Sequence, residues 1–265
     1  MSTFKPMKAR DVDVTKIKFS PAKTNEKGGK MIYMNYENNG IYLQSPTFEL
    51  AFDSGTFYAD DKPGCGKYQV RISLKGHEDD KNIKEFHDLL CQMDEIIKGY
   101  AKENSLSWFK KKNMSKETVN ELFTDTIKVS TDPDTGEPNG KYPPAFGCKI
   151  AKWDNKVNCR CFDNDKIELN VNDETKDNFK DLETMFTRGT KVQMVLKCKF
   201  IWVVSGKFGC TWGVEQIKIT PALGFNEYAF LDDSDEEGNN SGKASPKEEA
   251  NEPNGNFVED SSDED

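Results

Sequence analysis

The feature that most constrains the fold is the run at 191–204 (KVQMVLKCKFIWVV), in which apolar and polar side chains alternate. One face carries Val192, Met194, Leu196, Cys198, Phe200, Trp202 and Val204, and the other carries Lys191, Gln193, Lys197 and Lys199. Successive side chains of a β-strand point to opposite faces, so the pattern predicts a long half-buried strand. The segment 205–209 (SGKFG) predicts a turn into a second strand at about 210–220, which makes a hairpin. On this alternation, Trp202 is a core residue.

Residues 67–75 (KYQVRISLK) repeat the alternation, with Tyr68 on the apolar face. Shorter strands are predicted at 15–19, 31–35, 41–43, 47–52, 56–58, 127–129, 147–153, 157–162 and 166–171. The spacing of apolar residues at 81–103 predicts an amphipathic helix. Two shorter helices are predicted, at 116–125 after Ser115 and at 174–187 after Asp173. This order of elements favours a mainly β (α+β) fold, an antiparallel β-barrel or sandwich with helical insertions.

The last 34 residues, 232–265, differ from the rest in composition. They contain 13 acidic residues and two lysines, a net charge of −11, whereas the whole chain carries −9, so residues 1–231 carry +2. A segment so polar and so charged cannot bury enough apolar surface to order itself. We therefore expect a folded body at 1–231 and a disordered acidic tail at 232–265. The turn-rich segment 130–140 leaves open a subdivision of the body near residue 135.

The sequence offers little support for catalysis. The segment 63–68 (PGCGKY) resembles a phosphate-binding loop but lacks its first glycine and the Ser or Thr that holds magnesium. The two histidines and seven scattered cysteines match no known zinc spacing, so we expect no enzyme activity, cofactor or metal. No signal peptide and no apolar run of about 20 residues is present, which predicts a soluble intracellular protein.

Four segments combine the residues that bind single-stranded nucleic acid, namely cations for phosphates and, in three of them, aromatic rings for bases. The candidates are Lys67, Arg71, Lys75, Trp108, Lys110, Lys111, Tyr142, Phe146, Lys149, Lys152, Trp153, Arg160, Lys197, Lys199, Lys207, Phe208 and Trp212. The competing interpretation is that alternating lysines only protect a sheet from edge-to-edge aggregation and that the aromatic rings fill the core.

The acidic tail suggests a mechanism of its own. A flexible polyanion tethered beside a cationic groove competes with nucleic acid at high effective concentration, and it also recruits partner proteins such as replication proteins. Ser234, Ser261 and Ser262 lie in acidic contexts that suit phosphorylation by acid-directed kinases. The alternative is a tail that only keeps the protein in solution.

Several short motifs resemble the single-stranded DNA-binding proteins of the nucleocytoplasmic large DNA viruses. They are 141–149 (KYPPAFGCK), 202–212 (WVVSGKFGCTW) and 41–48 (IYLQSPTF), within a likeness that spans about 30–220. The resemblance implies an OB-fold-like β-barrel, no catalysis and a role in viral DNA replication, repair or packaging, in the host cytoplasm, the nucleus or the virion. By position it points to Tyr142, Phe146, Lys149, Lys207, Phe208 and Trp212.

The leading hypothesis is therefore a sequence-tolerant binder of single-stranded DNA or RNA that does not associate with membranes. Two other classes stay open. One is a non-catalytic virion or chaperone-like scaffold whose acidic tail binds basic proteins. The other is a nucleic-acid-processing enzyme with scattered carboxylates.

Overall fold

The computed structural model describes residues 5–222 and confirms a mainly β architecture with few helices. The strands are β1 (Met7–Lys8), β2 (Ile17–Phe19), β3 (Lys23–Thr24), β4 (Lys30–Ile32), β5 (Met34–Tyr36), β6 (Asn39–Gly40), β7 (Tyr42–Gln44), β8 (Phe48–Glu49), β9 (Thr56–Ala59), β10 (Gly66–Ser73), β11 (Phe123–Thr124), β12 (Ile127–Lys128), β13 (Ala145–Trp153), β14 (Lys156–Val157), β15 (Arg160–Phe162), β16 (Glu168–Leu169), β17 (Lys191–Val204) and β18 (Lys207–Thr220). The helices are α1 (Lys81–Glu103), α2 (Ser105–Phe109), α3 (Lys116–Leu122) and α4 (Leu182–Met185). The predicted tail, 232–265, lies outside the described residues.

The predicted hairpin is the centre of the larger sheet. β17 and β18 pair antiparallel from Lys191↔Thr220 to Val204↔Lys207. Only Ser205 and Gly206 form the turn, with φ of 51° and 83°. Positive φ at both central residues is typical of the type I′ turn, whose twist matches that of the strands it joins. The longer turn predicted at 205–209 is therefore wrong, because the strand resumes at Lys207.

The larger sheet is mixed, and it does not close into a barrel. Its main path runs β1-β7-β17-β18-β13-β10-β9. β18 pairs in parallel with β11, β13 and β15, so the prediction of a purely antiparallel sheet is wrong. Among residues 5–222 no pairing joins the end strands β1 and β9, and the OB-fold-like barrel is not confirmed. A separate three-stranded sheet has the order β2-β5-β6.

A β-bulge in β17 changes which residues enter the core. Cys198 lies opposite Trp212 and Phe200 opposite Thr211, so Lys199 is an extra residue in the ladder. An extra residue reverses the alternation of side chains along a strand. Beyond it Ile201 and Val203 are buried, whereas Trp202 is half-buried on the opposite face. The expectation that Trp202 belongs to the core is therefore wrong, while Tyr68 is buried as predicted.

The predicted long helix is confirmed as α1, which covers the core. Asp80 caps it by accepting hydrogen bonds from the backbone N–H groups of Asn82 and Ile83, at 2.8 and 2.9 Å. Its buried face includes Phe86, which meets Phe48 of β8 and Phe146 of β13 at centroid distances of 5.7 Å. Such edge-to-face pairs add to the free energy gained by burial.

The other two helix predictions were too long. The segment at 174–187 is helical only at 182–185, because Asp173 caps a local turn by accepting from Thr175 instead of starting a helix. The helix at 116–125 ends at Leu122, and the next two residues form β11, which pairs with β18. Each of the shorter predicted strands overlaps a strand of the structure.

Candidate nucleic-acid interface

The strands β10 and β13 present a polar surface away from the core, and several side chains of β13 on it are small. Lys67 lies opposite Ala151, Gln69 opposite Lys149, and Arg71 opposite Gly147. Side chains that lie opposite each other in an antiparallel pair share a face of the sheet. The small residues of β13 therefore leave open space beside the long cations of β10. A Cβ placed on Gly147 would meet no atom within 4 Å.

A groove runs from this surface to the hairpin. β13 pairs with β18 only at Lys149↔Gly213; elsewhere β18 pairs with β11 and β13 pairs with β12, so a gap opens between β13 and β18. The gap leaves a groove of about 430 Å³, within the 300–1,000 Å³ range typical of ligand pockets. Phe146 and Trp212 are buried at its floor, and Tyr58, 52 % exposed, lies at its rim.

Trp202 lines the same groove because of the bulge in β17. Its ring lies against Gly209, where a Cβ would come within 2.9 Å of Trp202 Cζ2. Glycine at this position therefore allows the indole to pack closely on β18. Half-buried Trp202 and exposed Tyr58 give the groove two aromatic rings that are accessible to solvent.

The cations of the groove lack acidic partners. Among residues 5–222, Arg71, Lys128 and Lys149, which line the groove, form no ion pair with a carboxylate, nor does Lys67 beside the groove, opposite Tyr58. Burial and, after it, repulsion from Lys67 lower the pKa of Lys149. An anion bound here relieves that repulsion and stabilises the charged form of the lysine. Asp125 also lines the groove, and its carboxylate pairs with Lys98 at 3.3 Å.

A buried carboxylate holds the segment between β11 and β12 in place. Asp94 of α1, 6 % exposed, accepts hydrogen bonds from the backbone N–H of Thr126 at 2.8 Å and from its hydroxyl at 2.6 Å. Burial raises the pKa of Asp94 to about 6, although both hydrogen bonds oppose that shift. Helix α1 is thereby linked to one wall of the groove, since Thr126 lines it.

Four of the predicted aromatic contacts are core residues instead. Trp108, Phe146, Phe208 and Trp212 are each at most 3 % exposed. Phe208 packs against Trp108, Phe109 and Phe123, at centroid distances of 6.0, 5.2 and 5.0 Å. A ring enclosed in this way has no free face on which a base can stack, which corrects the expectation for these four.

Three predicted cations are engaged elsewhere. Arg160 pairs with Glu168 at 2.7 Å, and Lys199 pairs with Glu215. Lys197 lies over the ring of Tyr42, 5.2 Å from its centroid. Since each already has a partner, none resembles the unpaired cations of the groove.

The remaining candidates lie outside the lining of the groove. Lys152 lies 5.1 Å from the centroid of Phe57, and the ring of Trp153, 57 % exposed, has Lys62 Nζ 3.8 Å from its centroid. Lys75 and the exposed Tyr142 line a different pocket. Lys110, Lys111 and Lys207 are exposed, the first two after α2 and the third at the hairpin turn. Ser234, Ser261 and Ser262 lie outside the described residues.

Sequence reasoning missed Tyr58, Lys128, Gly147 and Trp202, all of which line the groove. The alternation within β9 and β13 was a usable signal for Tyr58 and Gly147. No sequence pattern marked the bulge that exposes Trp202.

Within residues 5–222 no group of three or more His, Cys, Asp or Glu side chains is placed to hold a metal ion. No helix in the same range is long and apolar enough to cross a membrane.

No protein-family model and no curated protein matches the sequence. The chain is similar to several solved structures, at TM-scores below 0.5. One is gp2.5, a single-stranded DNA binding protein encoded by bacteriophage T7, at 11 % identity and a TM-score of 0.43, covering 72 % of this chain and 91 % of that one. Another is the single-stranded DNA-binding protein from bacteriophage Enc34 in complex with ssDNA, at 11 % identity and a TM-score of 0.39, covering 76 % and 94 %. The resemblance to the single-stranded DNA-binding proteins of the nucleocytoplasmic large DNA viruses stays a prediction.

Proposed function

We propose that this protein binds single-stranded nucleic acid, in particular DNA, with little dependence on sequence, through the groove between β10 and β17. The observation that carries the proposal is a set of unpaired cations, Arg71, Lys128 and Lys149 in the groove and Lys67 opposite Tyr58 at its rim, beside the accessible rings of Tyr58 and Trp202. Cations that follow the phosphates and rings that stack on bases are the two requirements for such binding.

The proposed role is non-catalytic and supports viral DNA replication, repair or packaging inside the host cell. In this proposal the acidic tail competes for the groove or recruits replication proteins. The charge distribution supports it, since a tail of −11 follows a body of +2.

Fluorescence anisotropy with labelled oligonucleotides and full-length protein tests the groove directly. Each of Arg71→Ala and Lys149→Ala removes one phosphate contact, so each should lower the salt slope of binding by about 0.7. Arg160→Ala is the matched control, because it removes the same charge from an arginine already paired with Glu168.

Three results bear on the proposal. Absence of salt-dependent binding at micromolar protein in low salt would refute it, and retention of basic proteins by the tail would then favour a scaffold. An equal effect of Arg71→Ala and Arg160→Ala on binding would show that the binding surface lies outside the groove. Parallel titrations with DNA and RNA of one sequence determine the sugar preference.

A further inference from the structure

The outward face of β13 continues past the groove to an exposed tryptophan. Ala151 lies opposite Lys67, which in turn lies opposite Tyr58 at the rim of the groove, so these three residues form one row across β13, β10 and β9. Trp153 follows Ala151 by two residues, and the pairing of β13 with β10 shows no shift in register. Because side chains alternate along a strand, Trp153 is on the same face, where 57 % of the residue is exposed.

The distance from the rim of the groove to Trp153 suits a single strand of nucleic acid. Two residues of a strand span about 7 Å, and two strand spacings separate β13 from β9 by about 10 Å. The Cα atoms of Tyr58 and Trp153 are therefore about 12 Å apart on one face. Stacked nucleotides rise about 3.4 Å each, so a strand that leaves the groove reaches Trp153 within about four nucleotides.

The ring of Trp153 is supported on one side only. Lys62, in the loop between β9 and β10, has its Nζ 3.8 Å from the ring centroid. That loop is fixed to the turn after Trp153, because the Asn155 N–H donates to the Gly64 carbonyl at 2.8 Å. Among residues 5–222 no other aromatic ring stacks on Trp153, so the face away from Lys62 is open to solvent. A ring that is already held in position loses little freedom when a ligand covers its second face.

The charges around this ring favour a base there over a phosphate. Three exposed carboxylates flank Lys62 and Trp153 in the chain, namely Asp60, Asp61 and Asp154. They outnumber the lysines at this end of the sheet, Lys62 and Lys156, the second of which lies opposite Trp153. Phosphates are therefore better placed at the unpaired cations of the groove. A stacked base needs only the face of a ring, whatever its identity, so this contact agrees with binding that tolerates sequence.

We propose that Trp153 is a stacking platform beyond the end of the groove, where one unpaired base lies on the ring face opposite Lys62. The inference rests on the proposed function and extends the binding surface along the outward face of β13. Both faces of a base inside a duplex are already stacked, and freeing one costs free energy, so the platform favours single strands.

Fluorescence anisotropy with full-length protein and an oligothymidylate of about 12 nucleotides tests the platform, since one domain of this kind binds about 4–16 nucleotides. Trp153→Ala should weaken binding about tenfold because one stacked base is lost. The salt slope should stay unchanged because no charge is removed, in contrast to Arg71→Ala. Trp153→Phe keeps a ring and should recover most of the affinity. The same variant should show less quenching of tryptophan fluorescence on binding than wild type, since a stacked base quenches the indole.

Ile167→Ala is the matched control, because Ile167 is 62 % exposed between β15 and β16, outside the lining of the groove. It should bind as wild type does, and thermal melting confirms that each variant is folded at the assay temperature. Wild-type affinity in Trp153→Ala would overturn the inference, as would a loss of salt slope as large as that of Arg71→Ala. Wild-type quenching in Trp153→Phe would overturn it as well, independently of how the alanine variant folds. Failure of wild-type protein to bind the oligothymidylate would instead refute the proposed function.

Discussion

Asp94 is a buried residue whose ionisation affects the stability of this fold. Its carboxyl is buried on α1 and accepts two hydrogen bonds from Thr126, yet burial raises its pKa from 3.8 to about 6. Because the pKa is higher in the folded than in the unfolded state, folding favours the protonated form. The contribution of this group to stability is therefore complete below pH 4 and is lost as the pH rises through about 6.

The substitution Asp94→Asn removes this loss while keeping an oxygen that accepts from the Thr126 N–H and an amide that donates to its hydroxyl. We expect the variant to be more stable than wild type at pH 7.5 by up to about 3 kcal/mol, since the pKa shift is about two units and each unit corresponds to about 1.4 kcal/mol. Urea denaturation at pH 4.5 and pH 7.5 measures the difference. A variant less stable than wild type at pH 7.5 would show that the charged hydrogen bonds outweigh the cost of burial.

At the scale of elements, the small outward residues of β13 keep the groove open. Gly147 has a free position for a side chain, so Gly147→Val fits the strand and should preserve or raise stability by up to about 1 kcal/mol. The same side chain projects beside Arg71 into the groove, where the nucleic acid is proposed to bind. We expect affinity for single-stranded oligonucleotides to fall by about tenfold, the equivalent of losing one stacked base.

Gly99 provides the control for this substitution. It is exposed on α1, and a Cβ there would also meet no atom within 4 Å. Gly99→Ala should raise the free energy of unfolding by about 0.5–1 kcal/mol and leave oligonucleotide binding unchanged. Anisotropy titrations and urea denaturation of both variants give the comparison. Undiminished binding by Gly147→Val would exclude the outward face of β13 from the interface.

Periodicity in the sequence predicted the strands β10 and β17 and the helix α1, because each alternation or stripe reflects one continuous buried face. The same reasoning failed where a single residue breaks the period, as Lys199 does, since a bulge leaves no mark in hydrophobicity. It also could not predict the pairing of β18 with β11, β13 and β15, which depends on contacts between segments distant in sequence. Arg71 of β10 and Lys149 of β13 were predicted as binding residues and both line one groove, whereas Lys67 lies beside it. Trp202 lines that groove through the unpredicted bulge.

At the scale of the whole molecule, the separation of charge along the chain is the basis of the proposed competition between tail and ligand. The tail carries −11 and the rest of the chain +2, while Lys67, Arg71 and Lys149 have no carboxylate partner among residues 5–222. A tethered polyanion reaches such cations at high effective concentration, without needing a folded contact. If this competition operates, ligand and tail cannot occupy the groove together.

Deletion of 232–265 should therefore tighten binding of single-stranded oligonucleotides by about tenfold in low salt. The gain should shrink as salt is added, because screening weakens the tail and the ligand alike. A tail of equal length with its Asp and Glu replaced by Asn and Gln separates charge from chain length, and it should behave like the deletion. Anisotropy titrations of the three proteins at several salt concentrations make the comparison. Equal affinities across the three would reduce the tail to a solubilising or partner-docking element and leave the groove as the sole determinant of affinity.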